Sequence, residues 1–391
     1  MITNLYPPHY LGGYELLAQQ VARHLSARHQ VYVLSSLHGV ETGADPYESD
    51  GAVSIERFLA LEAPFDSPMT IRRWHRRQIT ALNRERTTNV IGRVRPELIF
   101  YWSQLRLTVG PMRAGMESGL PRAFTFNDDN MRGFVARRPV IDDRIFRGNT
   151  LEGLDFPNST VISRYTLQRL IESGVPVTDS EIIHQGVPIQ DFPAKDSPGA
   201  LGDPVRLLYV GQLLDYKGIG DLIAALAHHL PRLNPARRVE LTLAGSGPED
   251  FVRSMKQASA ASPYPIHWLG KVPYEELPAL YRAHDAFVFP SRDESFGLTH
   301  LEAAASGLPV LATTAGGHSE MLEHGVNALL FRAGDPADLA ARIAELVADP
   351  ERAARLARTA REIVSTRFTT DRYFAQIEGF LERARSTAAR R

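Results

Sequence analysis

Short apolar runs and amphipathic stretches alternate along the second half of the chain. VRLLYVG (205–211), VELTLAG (239–245), PIHWLG (265–270), AFVFP (286–290), PVLATT (309–314) and ALLF (328–331) read as buried strands. Residues 218–230, 249–260, 274–283, 297–306, 318–323 and 336–347 lie between or after them and carry the helical period. The alternation predicts a doubly wound parallel sheet, whose ligands bind beyond the carboxyl ends of the strands.

The first half begins with a very short strand, Met1 to Thr3, then a loop holding Pro7, Pro8, Gly12 and Gly13. A helix follows over 14–28, with Leu16, Leu17, Val21 and Leu25 on one face, and VYVLSS (31–36) is the next strand. Further strands are expected at 97–102, 121–126, 159–163 and 181–185, with helices at 70–93 and 164–173. The order strand, helix, strand points to a second parallel α/β unit. DFPAKDSPGALGDP (191–204) joins prolines and glycines with little apolar content and reads as a linker. The expected division is therefore an N-terminal domain over 1–190, a second domain over 205–365 and a terminal helical segment over 366–391.

Length agrees, since 391 residues exceed what one hydrophobic core usually supports. A formal net charge of -1 provides no global field for nucleic acid or an anionic membrane. With no cysteine, disulfides, thiolate nucleophiles and cysteine metal sites are excluded. The N-terminus shows no signal-peptide pattern and no run of 18 apolar residues occurs, so a cytoplasmic protein is expected. The basic amphipathic stretch 70–96 reads first as a solvated helix face, and second as a peripheral contact with the inner face of an anionic membrane. Nothing in the pattern speaks to oligomeric state.

Candidate chemistry follows from the strand-to-helix loops, where free backbone N–H groups and the helix dipole favour anions. Gly12 and Gly13 precede the first helix; GQLLDYKG (211–218) puts Lys217, one of only four lysines, before another; ESFGL (294–298) puts Gly297 at the start of a third. A diphosphate is the anion that bridges such loops, with Lys217 as its mobile cation. Glu294 and Glu302 stand eight residues apart, just over two helical turns, so both carboxylates can face one crevice. The plainer alternative is a first-turn acid beside a solvated helix glutamate. GSGP (245–248) lacks the dinucleotide spacing, and the acids of 128–130 and 142–143 read as solvated loop carboxylates rather than metal ligands.

Taken together, NLYPPHYLGGYE (4–15), LLYVGQLLDYKGIGDLIAAL (207–226), LTLAGSGPE (241–249) and the long run 268–322 resemble the retaining nucleotide-sugar glycosyltransferases of family 4. The resemblance covers most of the chain and is most specific over 205–335. It implies the GT-B fold, two facing Rossmann-like domains, with the terminal helix crossing back to the first. Glu294 and Glu302 match that family's E-x7-E signature, which implies Glu294 on sugar hydroxyls and Glu302 on the ribose. By the same matching, Ser295, Phe296, Gly297 and Leu298 offer the donor loop, Lys217 holds the diphosphate, Lys271 and Val272 flank the base, and Gly12 and Gly13 close over the substrates. Ser163, Arg164 and Arg144 are implied near the interdomain cleft.

Two departures stand out. Gln212 replaces the arginine usual in that loop, keeping a donor but losing a charge. Asn127, followed by Asp128 and Asp129, stands where the family often has a histidine at the reaction centre. The implied activity is retaining transfer from a UDP- or GDP-linked sugar to a hydroxyl of a glycan, lipid or small molecule, with no obligatory metal or cofactor and no protein nucleophile. A nucleotide-sugar epimerase or sugar phosphorylase of the same fold, and a non-catalytic nucleotide-sugar-binding protein, are the rivals.

Overall fold

The computed structural model describes residues 1–41, 45–65, 73–135 and 150–388. These form two compact units, Met1–Ile183 with Phe374–Arg391, and His184–Tyr373. Arg144, Asp142 and Asp143 lie outside the described residues.

The first unit holds an eight-stranded sheet in the order β3-β4-β2-β1-β5-β6-β7-β8. Its strands are β1 (Ile2–Thr3), β2 (Tyr32–Ser36), β3 (Tyr47–Asp50), β4 (Val53–Leu59), β5 (Ile99–Ser103), β6 (Arg122–Phe126), β7 (Ser159–Val161) and β8 (Glu181–Ile182). Only β3 runs antiparallel to its neighbour among these strands. The β3–β4 hairpin has no counterpart in the apolar pattern, because β4 buries Glu56 and Arg57 among its apolar residues. The Arg57 guanidinium is paired inside: it donates to Tyr6 O at 2.9 Å, to Pro7 O at 2.7 Å and to Glu48 at 2.9 Å. A buried charge so paired is tolerated, but it breaks the alternation by which a strand is read.

Helix Arg73–Val94 occupies the basic stretch, and its Asn83 is buried, bonding to Ala60 and to Leu107 O. Several of its arginines pair with carboxylates of the same unit, Arg76 with Glu62, Arg84 with Glu117 and Arg93 with Glu56. These pairs account for much of the basic face locally. The short helix Gly110–Glu117 escaped the pattern because its GPMRAGME sequence opens with residues that usually break helices.

The second unit is an all-parallel sheet in the order β11-β10-β9-β12-β13-β14. Its strands are β9 (Val205–Val210), β10 (Val239–Ala244), β11 (Ile266–Gly270), β12 (Ala286–Phe289), β13 (Val310–Thr313) and β14 (Leu329–Phe331). Leu207, Leu241, Val288 and Leu311 are wholly inaccessible, and helix Pro336–Ala348 packs Leu339 and Ile343 into the same core. Burial on both faces explains why these strands read as continuous apolar runs. The expected helix over 218–230 is regular only for Ile219–Ala224, then widens and tightens before Asn234. Pro231, lacking an N–H, interrupts the regular ladder there.

Residues 191–204, expected as the linker, lie inside the second unit. Lys195 N donates to Ser306 O at 3.1 Å, Gly199 N to Gly307 O at 2.9 Å, and the Lys195 ammonium to Asp285 at 3.0 Å. Those bonds give the proline-rich segment fixed partners, which composition alone did not reveal. Helix Thr370–Ala388 enters the first unit from Phe374, where Glu378 accepts from Arg28 at 3.1 Å and Arg383 meets Glu181 at 2.7 Å.

At the ends of β9 and β10 the backbones touch through glycine. Gly245 has φ 154°, its N–H donates to Gly270 O at 2.7 Å, and a Cβ there would overlap Gly211 O. Gly245→Ala is expected to destabilise the second unit by about 2–4 kcal/mol, seen as an earlier denaturant transition. Gly220→Ala, in a helix with only a 3.8 Å neighbour at the Cβ position, serves as the control and should leave that transition unchanged or later.

Candidate functional site

In the second unit the strand order reverses between β9 and β12, and a doubly wound sheet opens its ligand crevice at such a reversal. Two loops leave the carboxyl ends of these strands, GQLLDYKG and SRDESFG. They are drawn together at Gly218, which has φ 73° and whose missing Cβ leaves room for Pro290 O. Arg292 N donates to Tyr216 O at 2.8 Å, and the Arg292 guanidinium grips Asp221 at 2.8 and 2.6 Å. The result is one contact between the loops' functional side chains. The Lys217 ammonium lies 2.6 Å from Glu294 Oε2, with both side chains mostly covered.

Glu294 is held by its backbone as well, since its carbonyl accepts from Gly317 N at 2.8 Å. Gly297 has φ 85° and turns the chain into helix Leu298–Ala305, whose first N–H groups have no intrahelical acceptor. Phe296 is buried and stacks on His184 with 5.5 Å between ring centroids, so its contribution outward is its backbone. Ser295 and Leu298 flank it, each half-buried.

Glu302 has a different setting from Glu294. It is 4% exposed, and its carboxylate accepts from Tyr281 OH at 2.8 Å. Burial pushes its carboxyl up to about 7, while the Tyr281 bond pulls weakly the other way. Burial, then the Glu302 charge, raises the Tyr274 and Tyr281 phenols far above their usual range. The two carboxylates of the eight-residue spacing are thus divided between a lysine and a tyrosine.

The other expected donor residues sit at neighbouring strand ends. Gln212 is exposed, and its carbonyl accepts from Tyr209 OH at 2.7 Å. Lys271 is exposed and Val272 half-buried just past the edge strand β11. Sequence reasoning passed over Arg292, Asp221 and Tyr281, whose partners lie 71 and 21 residues away in the chain. It also passed over His300 and His318, both buried beneath the Glu294 loop. Burial, then the other imidazole, drives His300 well below its usual range, and burial lowers His318 to about 4, so both are neutral. No sequence pattern distinguishes them from surface histidines.

In the first unit, Gly12 and Gly13 begin helix Gly13–Ser26 after β1, again where the strand order reverses. The N–H groups of Leu11 and Gly12 already donate to the Glu15 carboxylate at 3.3 and 3.0 Å. An anion at this turn must displace Glu15, whose carboxyl is raised by burial. Asn127 donates to Tyr14 OH and, at 3.4 Å, to Thr125 Oγ1. Asp128 accepts from Asn130 N at 2.9 Å, and burial raises its carboxyl above the usual range. Asp129 is taken by Arg169 at 2.7 Å and Arg132 at 3.0 Å. Ser163 caps helix Arg164–Glu172 by accepting from Thr166 N at 3.1 Å, while the Arg164 side chain is exposed.

Residues 192–363 match the family model of glycosyl transferases group 1. A glycogen synthase of Mycobacterium tuberculosis is 34% identical over 200 residues, 50% of this chain and 46% of that protein. A GDP-mannose-dependent alpha-(1-6)-phosphatidylinositol monomannoside mannosyltransferase of the same organism is 28% identical over 239 residues, 57% of this chain and 60% of that one. The chain thus spans about half the length of the curated relatives it matches. The crystal structure of Anabaena HepE in complex with UDP-glucose superposes with a TM-score of 0.72, covering 97% of this chain and 99% of that one at 22% identity, a likeness of fold. Residues 192–363 of this chain are thus similar to the group 1 glycosyl transferases, and its two units have the GT-B likeness of fold.

Proposed function

We propose that the protein transfers a sugar from a nucleoside diphosphate to a hydroxyl of a glycan, lipid or small-molecule acceptor, with retention at the anomeric carbon. The observation that carries this reading is the Lys217–Glu294 pair at the β9/β12 reversal. The names of the relatives support a nucleotide-sugar donor, one being GDP-mannose-dependent and one structure holding UDP-glucose. UDP and GDP are therefore both candidate carriers.

When the anomeric C–O bond breaks, its electron pair goes to the diphosphate, and stabilising that charge lowers the barrier. Lys217 supplies the cation. A diphosphate competes with Glu294 for the ammonium, and Glu294, once released, accepts hydrogen bonds from sugar hydroxyls. The N–H groups of 296–298 hold phosphate or sugar oxygens at a helix start. With the incoming hydroxyl on the face the diphosphate leaves, a phosphate oxygen takes its proton and no protein nucleophile is needed. Glu294 and Glu302 then work by positioning, Glu302 as the ribose acceptor.

Lys217→Ala is expected to weaken nucleoside diphosphate binding by about 1–3 kcal/mol and to remove most turnover. Turnover at the wild-type rate in that variant would exclude Lys217 from the mechanism. Screening UDP- and GDP-sugars by thermal stabilisation, then determining the product anomer by NMR, tests the reaction itself. Inversion would contradict retention, and sugar conversion without an acceptor would favour an epimerase.

Glu302 makes a separate prediction with opposite signs for stability and binding. Its folded value of about 7 lies above the ordinary 4.5, so the folded protein holds a proton that the unfolded chain releases between these values. Stability therefore falls as pH rises through that window, by about 3 kcal/mol in full. Glu302→Gln keeps an acceptor for Tyr281 OH and should raise the unfolding midpoint at pH 8 but not at pH 4. The same variant should bind nucleotide more weakly at pH 8, and an unchanged calorimetric affinity would refute the ribose role.

A further inference from the structure

Three consecutive residues, Asp215, Tyr216 and Lys217, make a single tight helical turn in the loop after β9. Asp215 stands 3.7 Å from the Arg292 guanidinium, whose main grip is on Asp221. Tyr216 is fixed through its backbone, since its carbonyl accepts from Arg292 N at 2.8 Å, and Lys217 N closes the turn on Leu214 O at 3.1 Å. The Tyr216 side chain stays outside the core, 44% exposed. One exposed ring is ordinary in itself, and its neighbour is what makes it informative. The Lys217 ammonium lies over this ring, 5.1 Å from the centroid, and at the same time 2.6 Å from Glu294 Oε2. Lys217 thus has two partners of different kinds, and only 14% of its side chain is exposed.

We infer that Tyr216 is a positioning residue for Lys217, its ring face keeping the ammonium at the loop when a diphosphate replaces Glu294. The inference rests on the transferase reading and adds a residue to it. A lysine carries its charge on a flexible four-carbon stem, so an ammonium released by its carboxylate swings into water and must be ordered again before it meets phosphate. A ring face attracts a cation without cancelling its charge. Held in this way, the ammonium still has N–H donors for phosphate oxygens. A second carboxylate in that place would hold the cation more tightly and compete with the phosphate for it. An aliphatic side chain would cover the stem and offer the charge nothing. Asp215 pairs with Arg292, so among the described residues Glu294 is the one carboxylate paired with Lys217, and the ring is what remains when that pair opens.

The test compares Tyr216→Phe and Tyr216→Leu in the full chain, with UDP and GDP as ligands. Both substitutions replace an exposed ring, so both proteins should unfold at the wild-type midpoint. In the absence of nucleotide, the Lys217 Hε protons should be shifted upfield by the ring current in the wild type and in Tyr216→Phe, and lose that shift in Tyr216→Leu. By calorimetry, Tyr216→Leu should weaken nucleoside diphosphate binding roughly three- to tenfold, and Tyr216→Phe by less than about twofold. In a Lys217→Ala background the same Tyr216→Leu change should cost less than about twofold, because the ring then has no cation to hold. An equal loss in both backgrounds would show the ring acting on the nucleotide directly, as by stacking on the base, and would overturn the inference. So would Lys217 Hε shifts that are the same in Tyr216→Leu, or a Tyr216→Phe protein that binds as weakly as Tyr216→Leu. Wild-type protein that binds neither UDP nor GDP defeats the transferase reading and the diphosphate half of the inference with it, whereas unchanged Hε shifts defeat the ring contact alone.

Discussion

Everything proposed for the second unit depends on one close approach, that of the loop after β9 to the loop after β12. Parallel strands that reverse their order at this point send their following helices to opposite faces and leave the loops to diverge. Here they do not diverge, because Gly218 lets Pro290 O come in and Arg292 fastens the two by Tyr216 O and Asp221. Lys217 and Glu294 meet as a consequence. A side chain at 218 or a shorter residue at 292 would move the cation from the carboxylate without touching either.

The same unit stores unfavourable electrostatics beneath that contact. Glu302 is a buried carboxyl with one phenol partner, and His300 carries two ring nitrogens without partners among the described residues. Each costs stability that an apolar residue of similar size would not. The ribose role proposed for Glu302 would give that buried carboxyl a ligand for its oxygens.

How much of this could be read from the chain depended on which physical force set each part. The strands of the second unit were legible because burial on both faces demands uninterrupted apolar residues, as in 286–289 and 310–313. The β3–β4 hairpin was not, because β4 interrupts its buried apolar residues with Glu56 and with Arg57, whose charge is met by a buried network. Lys217, Gly297 and the Glu294–Glu302 spacing could be found from loop chemistry and helical geometry. The Arg292–Asp221 grip and the Tyr281 partner of Glu302 could not, since long-range pairs leave no local period. Nor did the proline-rich composition of 191–204 reveal that Lys195 would be anchored on Asp285.

The central claim is that Lys217 exchanges Glu294 for the diphosphate. With only four lysines in the chain, labelling their ε-carbons gives four resolvable NMR signals, Lys195, Lys217, Lys256 and Lys271. On titration with UDP or GDP, the Lys217 signal should shift saturably, while those of Lys195, held by Asp285, and Lys256 stay in place. A Lys217 signal that does not move at nucleotide concentrations shown by calorimetry to fill the site would contradict the account.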